Sequence, residues 1–199
     1  MASSRKREIS EETRRRLVDA AFELASEGGS TAMSIQAVAE RSQISRGSVA
    51  WHFGSKEGLL IAVVDNAFAW GIGFISNRLA EAAHPGVEAL IEANFALMTQ
   101  PKSRIFSTIL LEALANDSPI RTTYAARYVE LRSTYARYLR SVAPQIGDVD
   151  AVAVALLGST LGINIQYHLD PARVDRRSAV DALERVYAQA LARRRATSS

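Results

Sequence analysis

Apolar residues recur at helical spacing along almost the whole chain, and no stretch alternates apolar and polar residues as a strand does. Between residues 14 and 28, Leu17, Ala21 and Leu24 fall on one helical face, and Gly28 and Gly29 follow as a pair that ends helices. Of the 199 residues, 48% are hydrophobic, so the chain is long enough and apolar enough to close a core. The sequence therefore predicts an all-α fold.

The composition excludes several kinds of chemistry. The chain has no cysteine, which removes disulfides, thiolate nucleophiles and cysteine-ligated zinc. His52, His84 and His168 lack a second ligand at the i, i+4 spacing of a helical metal site, and no nucleophile–base pair is recognisable. We therefore expect no metal, no cofactor and no enzymatic activity.

The same sequence predicts a cytoplasmic protein that does not enter a membrane. The basic start MASSRKREIS is not followed by the apolar stretch of a signal peptide, and no run approaches the roughly 18 apolar residues of a membrane helix. The formal net charge is only +3, so any anion-binding surface must come from local clustering of basic residues.

Helix-ending residues divide the chain into two parts. We expect one domain in residues 1–54, with a flexible basic arm and three short helices, and a second, helical domain in residues 55–199. The second part begins with a long helix over 55–81 and ends with helices over 149–168 and 173–192. Asp117, Ser118 and Pro119 are predicted to open the helix that runs to about Val142.

The segment SQISRGSVAWHFGSKEG, residues 42–58, has the pattern of a helix-turn-helix. Ser34 and Ser45 are predicted N-caps of two short helices, and the small residue Ala39 lets these helices cross closely. The second helix is then suited to enter the major groove of DNA, which is about 12 Å wide.

Nine residues are the candidate DNA contacts. The helix starts at Ser34 and Ser45 present free backbone N–H groups. The first residues of the second helix project toward base edges, and the aromatic and basic residues after them reach flanking phosphates. The candidates are Ser34, Gln36, Ser45, Arg46, Gly47, Ser48, Trp51, His52 and Lys56.

These motifs together resemble the DNA-binding head of the tetracycline-repressor (TetR) family of bacterial regulators. LVDAAFELASEGG is similar to the family's first helix, SIQAVAERS to its second, and SRGSVAWHFGSKEGLL to its recognition segment. The resemblance covers residues 14–60. It implies a homodimeric transcriptional regulator whose DNA-binding domain is residues 1–54. Residues 55–199 are then the family's variable, helical effector-binding and dimerisation domain, which dimerises through its last two helices.

Two positions depart from the family pattern. Gln43 stands in the turn where the family usually has glycine, so we expect a left-handed conformation there at modest strain. Ala50 replaces a tyrosine that touches phosphate in the family. The resemblance therefore carries the phosphate contacts over only to Trp51, His52 and Lys56.

The C-terminal part is expected to bind a small apolar or amphipathic effector. Aromatic residues at helical spacing are ordinarily core residues, but Asn94 and Asn164 fall on otherwise apolar faces, where an unpaired amide is costly. Each amide must find a partner in protein, water or ligand. The candidate lining residues are Phe74, Asn94, Met98, Phe106, Tyr128 and Asn164.

A homodimer is expected because the helix over 149–168 is apolar almost all round and has no favourable place in water. Gly158 and Gly162 lie four residues apart and let another helix approach. The candidate interface residues are Leu157, Gly158, Gly162, Leu183 and Tyr187.

The sequence thus favours a ligand-responsive transcriptional regulator, a repressor that binds a palindromic operator on double-stranded DNA. Two alternatives stay open at this point. One is a constitutive DNA-binding protein whose C-terminal core is fully packed. The other is a small helical enzyme with an incidental helix-turn-helix-like head.

Overall fold

The computed structural model describes residues 2–115 and 119–197. Within them the chain forms nine α-helices and two 3-10 turns, at Pro101–Arg104 and Pro144–Ile146, and no strand, which confirms the all-α prediction. In chain order the helices are α1 (Ala2–Ala32), α2 (Ile35–Ser42), α3 (Arg46–Phe53), α4 (Lys56–Ala80), α5 (Val87–Met98), α6 (Ile105–Ala115), α7 (Pro119–Val142), α8 (Val149–Leu169) and α9 (Arg176–Thr197).

The predicted capping residues stand where the sequence placed them. The backbone N–H of Ala37 donates to Ser34 Oγ at 3.0 Å, and that of Ser48 donates to Ser45 Oγ at 3.2 Å. Gly29 interrupts α1 with a φ of 69°, a conformation that favours glycine. The local sequence therefore determines where the short helices begin and end.

The start of the chain differs from the expectation. The predicted flexible arm is helical, because α1 begins at Ala2 rather than near residue 14. Side chains one turn apart support this extension: Ser4 Oγ donates to Glu8 at 3.0 Å, and Arg7 Nε donates to Glu11 at 3.1 Å. At the start of α7, the predicted caps Asp117 and Ser118 lie outside the described residues.

The chain divides into two compact units. The first comprises residues 1–69 and 101–127. Its interior includes the buried side chains of Leu17, Val38 and Val49, which hold the three helices of the head together. Phe68 meets both Phe106 and Tyr124 edge to face, with ring centroids 5.4 Å apart in each pair. The head and these aromatic residues thus belong to one unit.

The second unit comprises residues 70–100 and 128–199. Its interior includes Leu90, Tyr135, Leu139 and Leu156, all at most 1% exposed. The Tyr138 hydroxyl lies 3.2 Å from both the carbonyl oxygen and the backbone nitrogen of Gly86, which ties the start of α5 to α7. Most of the residues proposed for effector binding and dimerisation belong to this unit.

Helices α4 and α8 are each long and apolar enough to cross a membrane by length and composition. An uninterrupted run of about 18 apolar residues is a stricter requirement, because the test averages hydropathy over a window and accepts polar residues such as Asp65 and Asn66 in α4. Core helices of globular proteins pass the same test. In the most apolar 18-residue window of α4, half of the residues are buried in the structure. In the corresponding window of α8, only a third are buried.

Replacing Gln43 with glycine should stabilise the protein. Gln43 has a φ of 57° and a ψ of 36°, the left-handed conformation expected for the turn. A residue with a side chain loses about 1 kcal/mol of folding free energy in this conformation. Glycine avoids that cost, but it also makes the unfolded chain more flexible, which offsets part of the gain. We expect the free energy of unfolding in urea to rise by less than about 1 kcal/mol. Gln36→Gly in α2 is the control and should lower the free energy of unfolding by about 0.5–1 kcal/mol. If Gln43→Gly also lowered it, the backbone at Gln43 would not be strained.

Candidate functional site

The first candidate site is the surface formed by α2 and α3. The turn at Gln43 joins these helices, and a groove of about 350 Å³ between them is lined by Gln36, Ser45 and Arg46 among others. Arg46 is exposed, and its guanidinium makes no hydrogen bond or ion pair with any described residue. Its position in the first turn of α3 leaves this cation free to bind an outside acceptor.

The neighbouring polar side chains are already engaged within the head. Gln36 Nε2 donates to Glu40 Oε1 at 2.9 Å, one turn along α2. The Ser48 hydroxyl lies 3.0 Å from Ser45 Oγ, which also caps α3. Contacts from these residues to DNA would therefore exchange an internal bond for an external one, whereas a contact from Arg46 would not.

The backbone also contributes to this surface. The first N–H groups of a helix have no carbonyl partner within that helix and attract anions. Ser34 and Ser45 satisfy one such group each, and both residues are exposed at the starts of α2 and α3. Gly47 is exposed beside Arg46, so a phosphate or base edge can approach the backbone closely there.

The third part of this surface comprises the end of α3 and the start of α4. Trp51 is 74% exposed, and its ring meets the ring of His52 edge to face at 4.5 Å. Lys56 is exposed at the start of α4 and has no ionic partner in the described part of the chain. An exposed indole N–H and an unpaired ammonium are both donors that can bind phosphate oxygens.

The half-buried imidazole of His52 is held in its neutral form more strongly than an exposed one. Burial, with a smaller contribution from the positive charge of Arg14, lowers the pKa of His52 below its usual value. The guanidinium of Arg14 lies 5.3 Å from the centroid of the Phe53 ring, beside His52. The approach of a phosphate would act in the opposite direction and raise this pKa.

The second candidate site is the set of residues proposed to line an effector pocket. Phe74, Asn94, Met98, Tyr128 and Asn164 belong to the second unit. Phe106 belongs to the first unit, where it packs against Phe68. The sequence did not separate them because helical periodicity identifies buried faces but not which faces meet.

Asn94 and Asn164 are buried, with 2% and 1% of their surfaces exposed, and neither is fully hydrogen-bonded. The Asn94 amide donates to the Tyr135 hydroxyl, and its Oδ1 atom has no partner in the structure. Asn164 Oδ1 accepts from Arg176 at 3.4 Å, and its Nδ2 atom has none. Each buried amide therefore keeps one polar atom available to a ligand or a water molecule.

The buried Tyr135, beside Asn94, and the half-buried Tyr128 are both held in their neutral form. Burial raises the pKa of Tyr135 well above its usual range, against a smaller opposing effect of the hydrogen bond from Asn94. Burial likewise raises the pKa of Tyr128. These hydroxyls thus offer hydrogen bonds rather than negative charge.

Sequence reasoning missed Arg176, which follows the loop between α8 and α9. Its Nη1 atom donates to the carbonyl oxygen of Met98 at 2.9 Å, and its guanidinium lies 3.8 Å from the centroid of the Tyr167 ring. The signal that was available is the run DPARVDRR at residues 170–177, where three arginines follow a helix end. A basic run of this kind usually indicates a solvated surface, so it did not stand out.

The third candidate site is the proposed dimer interface on α8 and α9. Outside the neighbouring backbone of α8 itself, no described atom lies within 4 Å of the position that a Cβ atom would occupy at Gly158 or Gly162, so both face open space. Leu183 and Tyr187 are half-buried. Leu157 is only 8% exposed and packs inside its own chain, so it has little surface to offer a partner.

Other apolar residues are better placed than Leu157 to meet a partner. Val154 is 54% exposed, Leu169 79% and, on α9, Val186 62%. On α8, eight of the exposed or half-exposed small and apolar positions recur at i, i+3, i+4 and i+7 spacing, which places them on one face. These positions are Ala151, Val154, Ala155, Gly158, Leu161, Gly162, Ile165 and Leu169.

Two family models match the chain. Residues 17–63 match the model described as bacterial regulatory proteins, tetR family. Residues 83–192, more than half of the chain, match the model described as BetI-type transcriptional repressor, C-terminal. The first match contains α2 and α3. The second contains α5–α8 and α9 as far as residue 192.

Individual proteins agree with these matches. The HTH-type transcriptional regulator SrpR of Pseudomonas putida is 28% identical over 133 residues, which are 66% of this chain and 60% of SrpR, less than two thirds of its length. A solved TetR-family member from Streptomyces coelicolor A3 has a TM-score of 0.67 at 21% identity and covers 87% of this chain and 97% of its own. The multidrug binding protein EbrR, complexed with imidazole, has a TM-score of 0.65 at 22% identity. This match covers 87% of this chain and 89% of EbrR. At these identities the two structures establish the fold.

Proposed function

Because the chain belongs to the tetR family of bacterial regulatory proteins and is a transcriptional regulator, we propose that it is a cytoplasmic, homodimeric repressor. It binds a palindromic operator on double-stranded DNA through residues 1–54 and is released by a small molecule bound within residues 55–199. The observation that carries this proposal is the exposed, unpaired guanidinium of Arg46 at the start of the recognition helix.

The head supplies both kinds of contact that a sequence-specific protein needs. Arg46 is suited to donate two hydrogen bonds to the O6 and N7 atoms of a guanine, the commonest specific contact in the major groove. Trp51, His52, Lys56 and the helix starts at Ser34 and Ser45 are suited to phosphates. Base contacts supply specificity, and phosphate contacts supply position and most of the general affinity.

The apolar face of α8 supports the homodimer. An exposed apolar stripe of this length is unfavourable in water, and no charged side chain interrupts its eight positions. A second copy of the same face covers it with two-fold symmetry. A two-fold dimer presents two recognition helices, which explains why the operator should be palindromic.

The unsatisfied amides of Asn94 and Asn164 favour a ligand-responsive protein over a constitutive DNA-binding protein. A fully packed core would leave neither amide with a free polar atom, since each such atom costs about 1–3 kcal/mol. The effector is then an amphipathic molecule that offers a donor to Asn94 and an acceptor to Asn164. Imidazole in the EbrR complex is an example of a small polar ligand in a protein of this fold.

Helix α4 provides a route for the response. It begins three residues after α3 ends and continues without interruption from Lys56 to Ala80, so it contains residues of both units. A ligand releases DNA only if it prefers a conformation in which the recognition helices are wrongly spaced. Coupling of about 1–3 kcal/mol, typical of allosteric proteins, would change operator affinity roughly 5- to 150-fold.

DNA binding should weaken steeply with salt. Each phosphate contact contributes about −0.9 to the slope of log affinity against log salt concentration. Fluorescence anisotropy with operator and random duplexes, at several salt concentrations, measures this slope. We expect Lys56→Ala to make it shallower by about 2, because the dimer loses one phosphate contact in each half-site, whereas Lys102→Ala should leave it unchanged, because Lys102 lies over the Phe22 ring. Equal slopes in wild type and Lys56→Ala would remove Lys56 from the phosphate contacts.

DNA affinity should also increase as the pH falls. The pKa of His52 is lowered in the free protein, and a phosphate beside it raises this pKa in the complex, so the complex binds more protons. The dissociation constant should therefore decrease as the pH falls through the pKa of the complex. His52→Gln should flatten this dependence, and His84→Gln, at an exposed position outside the head, should not. If His52→Gln has the wild-type pH profile, His52 does not contact phosphate.

A further inference from the structure

The loop between α8 and α9 lines a groove of about 430 Å³ in the second unit. The wall consists of aromatic and aliphatic side chains together with three arginines and one aspartate. The lining residues that carry an aromatic ring or a charge are Phe95, Tyr167, Arg173, Asp175, Arg176 and Arg177. Such a mixture of apolar surface and a few charges is typical of small-molecule sites.

Most charges on this wall are already neutralised. Arg173 pairs with Asp170 at 3.1 Å. The Asp175 carboxylate accepts from the backbone N–H groups of Arg177 and Ser178 at 2.9 and 3.2 Å, which caps α9. Arg177, the third arginine of the wall, contacts a separate acidic cluster.

That cluster consists of Glu92, Asp181 and Glu184, and none of the three lines the groove. Arg177 forms ion pairs with all three carboxylates. The interaction with Glu92, followed by that with Asp181, raises the pKa of Arg177. The charge of Arg177 is therefore used within the protein.

Arg176 is the exception on this wall. Its guanidinium is half-buried and donates only to neutral acceptors, the Met98 carbonyl oxygen at 2.9 Å and Asn164 Oδ1 at 3.4 Å. One face of it lies on the Tyr167 ring, 3.8 Å from the centroid. No carboxylate among the described residues lies within ion-pairing distance of it. A partly desolvated cation of this kind gains most from an anionic partner.

We propose that this groove binds the carboxylate of an amphipathic organic anion, with Arg176 as the anion's partner and Phe95 and Tyr167 as the apolar wall. A guanidinium donates two parallel hydrogen bonds to a carboxylate, which fixes the orientation of the ligand as well as its charge. A cationic ligand is disfavoured, because Arg176 and Arg177 already cover the rings of Tyr167 and Phe95, at 3.8 and 5.0 Å.

The proposal rests on the proposed function for its regulatory meaning, since it names the chemical class of the effector. Arg176 joins three helices: it belongs to α9 and donates to Met98 of α5 and Asn164 of α8. An anion that draws the guanidinium away from these two acceptors loosens the contacts of α9 with α5 and α8. Binding is thereby linked to the helices that form the proposed dimer.

The test compares matched probes on the full-length protein by isothermal titration calorimetry. The anion is 4-phenylbutyrate and the neutral control is 4-phenylbutanamide, which has the same apolar body. We expect the anion to bind about 10-fold more tightly than the amide or better, and Arg176→Gln to remove this preference. Arg185→Gln is the control, because Arg185 is an exposed arginine on the same helix, α9, and does not line the groove; it should change the affinity by less than about 2-fold.

Arg176→Lys keeps the positive charge but cannot donate two parallel hydrogen bonds to a carboxylate, so it should retain part of the preference for the anion over the amide. This variant separates loss of binding from loss of folding. Equal affinity for anion and amide in wild type, or an unchanged preference in Arg176→Gln, would overturn the proposal. Operator release is measured separately by anisotropy. Binding that depends on Arg176 but never releases DNA supports the site and contradicts the proposed ligand response. If neutral compounds release the operator DNA and no anion binds to the protein, the proposed anion site is wrong, whereas the proposed repressor function stands.

Discussion

Replacing Arg46 with alanine is expected to reduce the preference of the protein for its operator over random DNA by about 25-fold or more, because a two-fold dimer loses one bidentate arginine–guanine contact, worth about 1–3 kcal/mol, in each half-site. Affinity for random DNA should change little, because Arg46 is assigned to a base edge and not to phosphate. The guanidinium has no described partner in the free protein, so its removal leaves no internal group unsatisfied. Competition binding with operator and scrambled duplexes, at one fixed salt concentration, measures the ratio.

The matched comparison is Lys56→Ala, which also removes one exposed cation from the same surface. It should weaken operator and random DNA by similar factors, because a phosphate contact carries no sequence information. The two variants together distinguish a base contact from general electrostatic attraction. An equal loss on both duplexes in Arg46→Ala would contradict the role given to Arg46.

Replacing Val154 with glutamate is expected to weaken dimerisation by about 100-fold or more, since an unpaired charge in a buried interface costs about 3–5 kcal/mol. Val154 is 54% exposed on the apolar face of α8. In a two-fold dimer the substitution enters the interface from both copies, so two like charges are buried together. Sedimentation velocity over a range of protein concentrations measures the shift from dimer to monomer.

The control is Val129→Glu on α7, because Val129 is also 54% exposed but lies on another helix. It should leave the dimer intact. Leu157→Arg is a poorer test, because Leu157 is only 8% exposed and its replacement would disturb the interior of its own chain. If Val154→Glu sediments like Val129→Glu at micromolar concentration, the apolar face of α8 is not the interface.

The sequence predicted best what depends on neighbouring residues. The caps at Ser34 and Ser45, the break at Gly29 and the left-handed turn at Gln43 all follow from side chains within a few positions of each other. Helical periodicity predicted the order of the helices for the same reason. It did not predict that α1 begins at Ala2, because the first residues carry no apolar face and are supported by exposed polar pairs instead.

What the sequence did not predict depends on packing between distant segments. Asn94 lies 41 positions from its partner Tyr135, and Arg176 lies 78 positions from the Met98 carbonyl to which it donates. Periodicity marks the faces that carry these residues but not the faces that meet. It therefore grouped Phe106 with the residues of the second unit, and it could not separate the buried Leu157 from the exposed Val154 on the same helix.

The most direct test of a two-fold regulator that reads sequence is to select bound duplexes from a random double-stranded DNA library with the purified protein and to footprint the enriched sequence. We expect an inverted repeat with two protected half-sites about one helical turn apart, or a multiple of that distance. Arg46→Ala, taken through the same selection, should lose base preference at symmetry-related positions of both half-sites. Enrichment of no sequence, or of a single asymmetric site, would contradict the account.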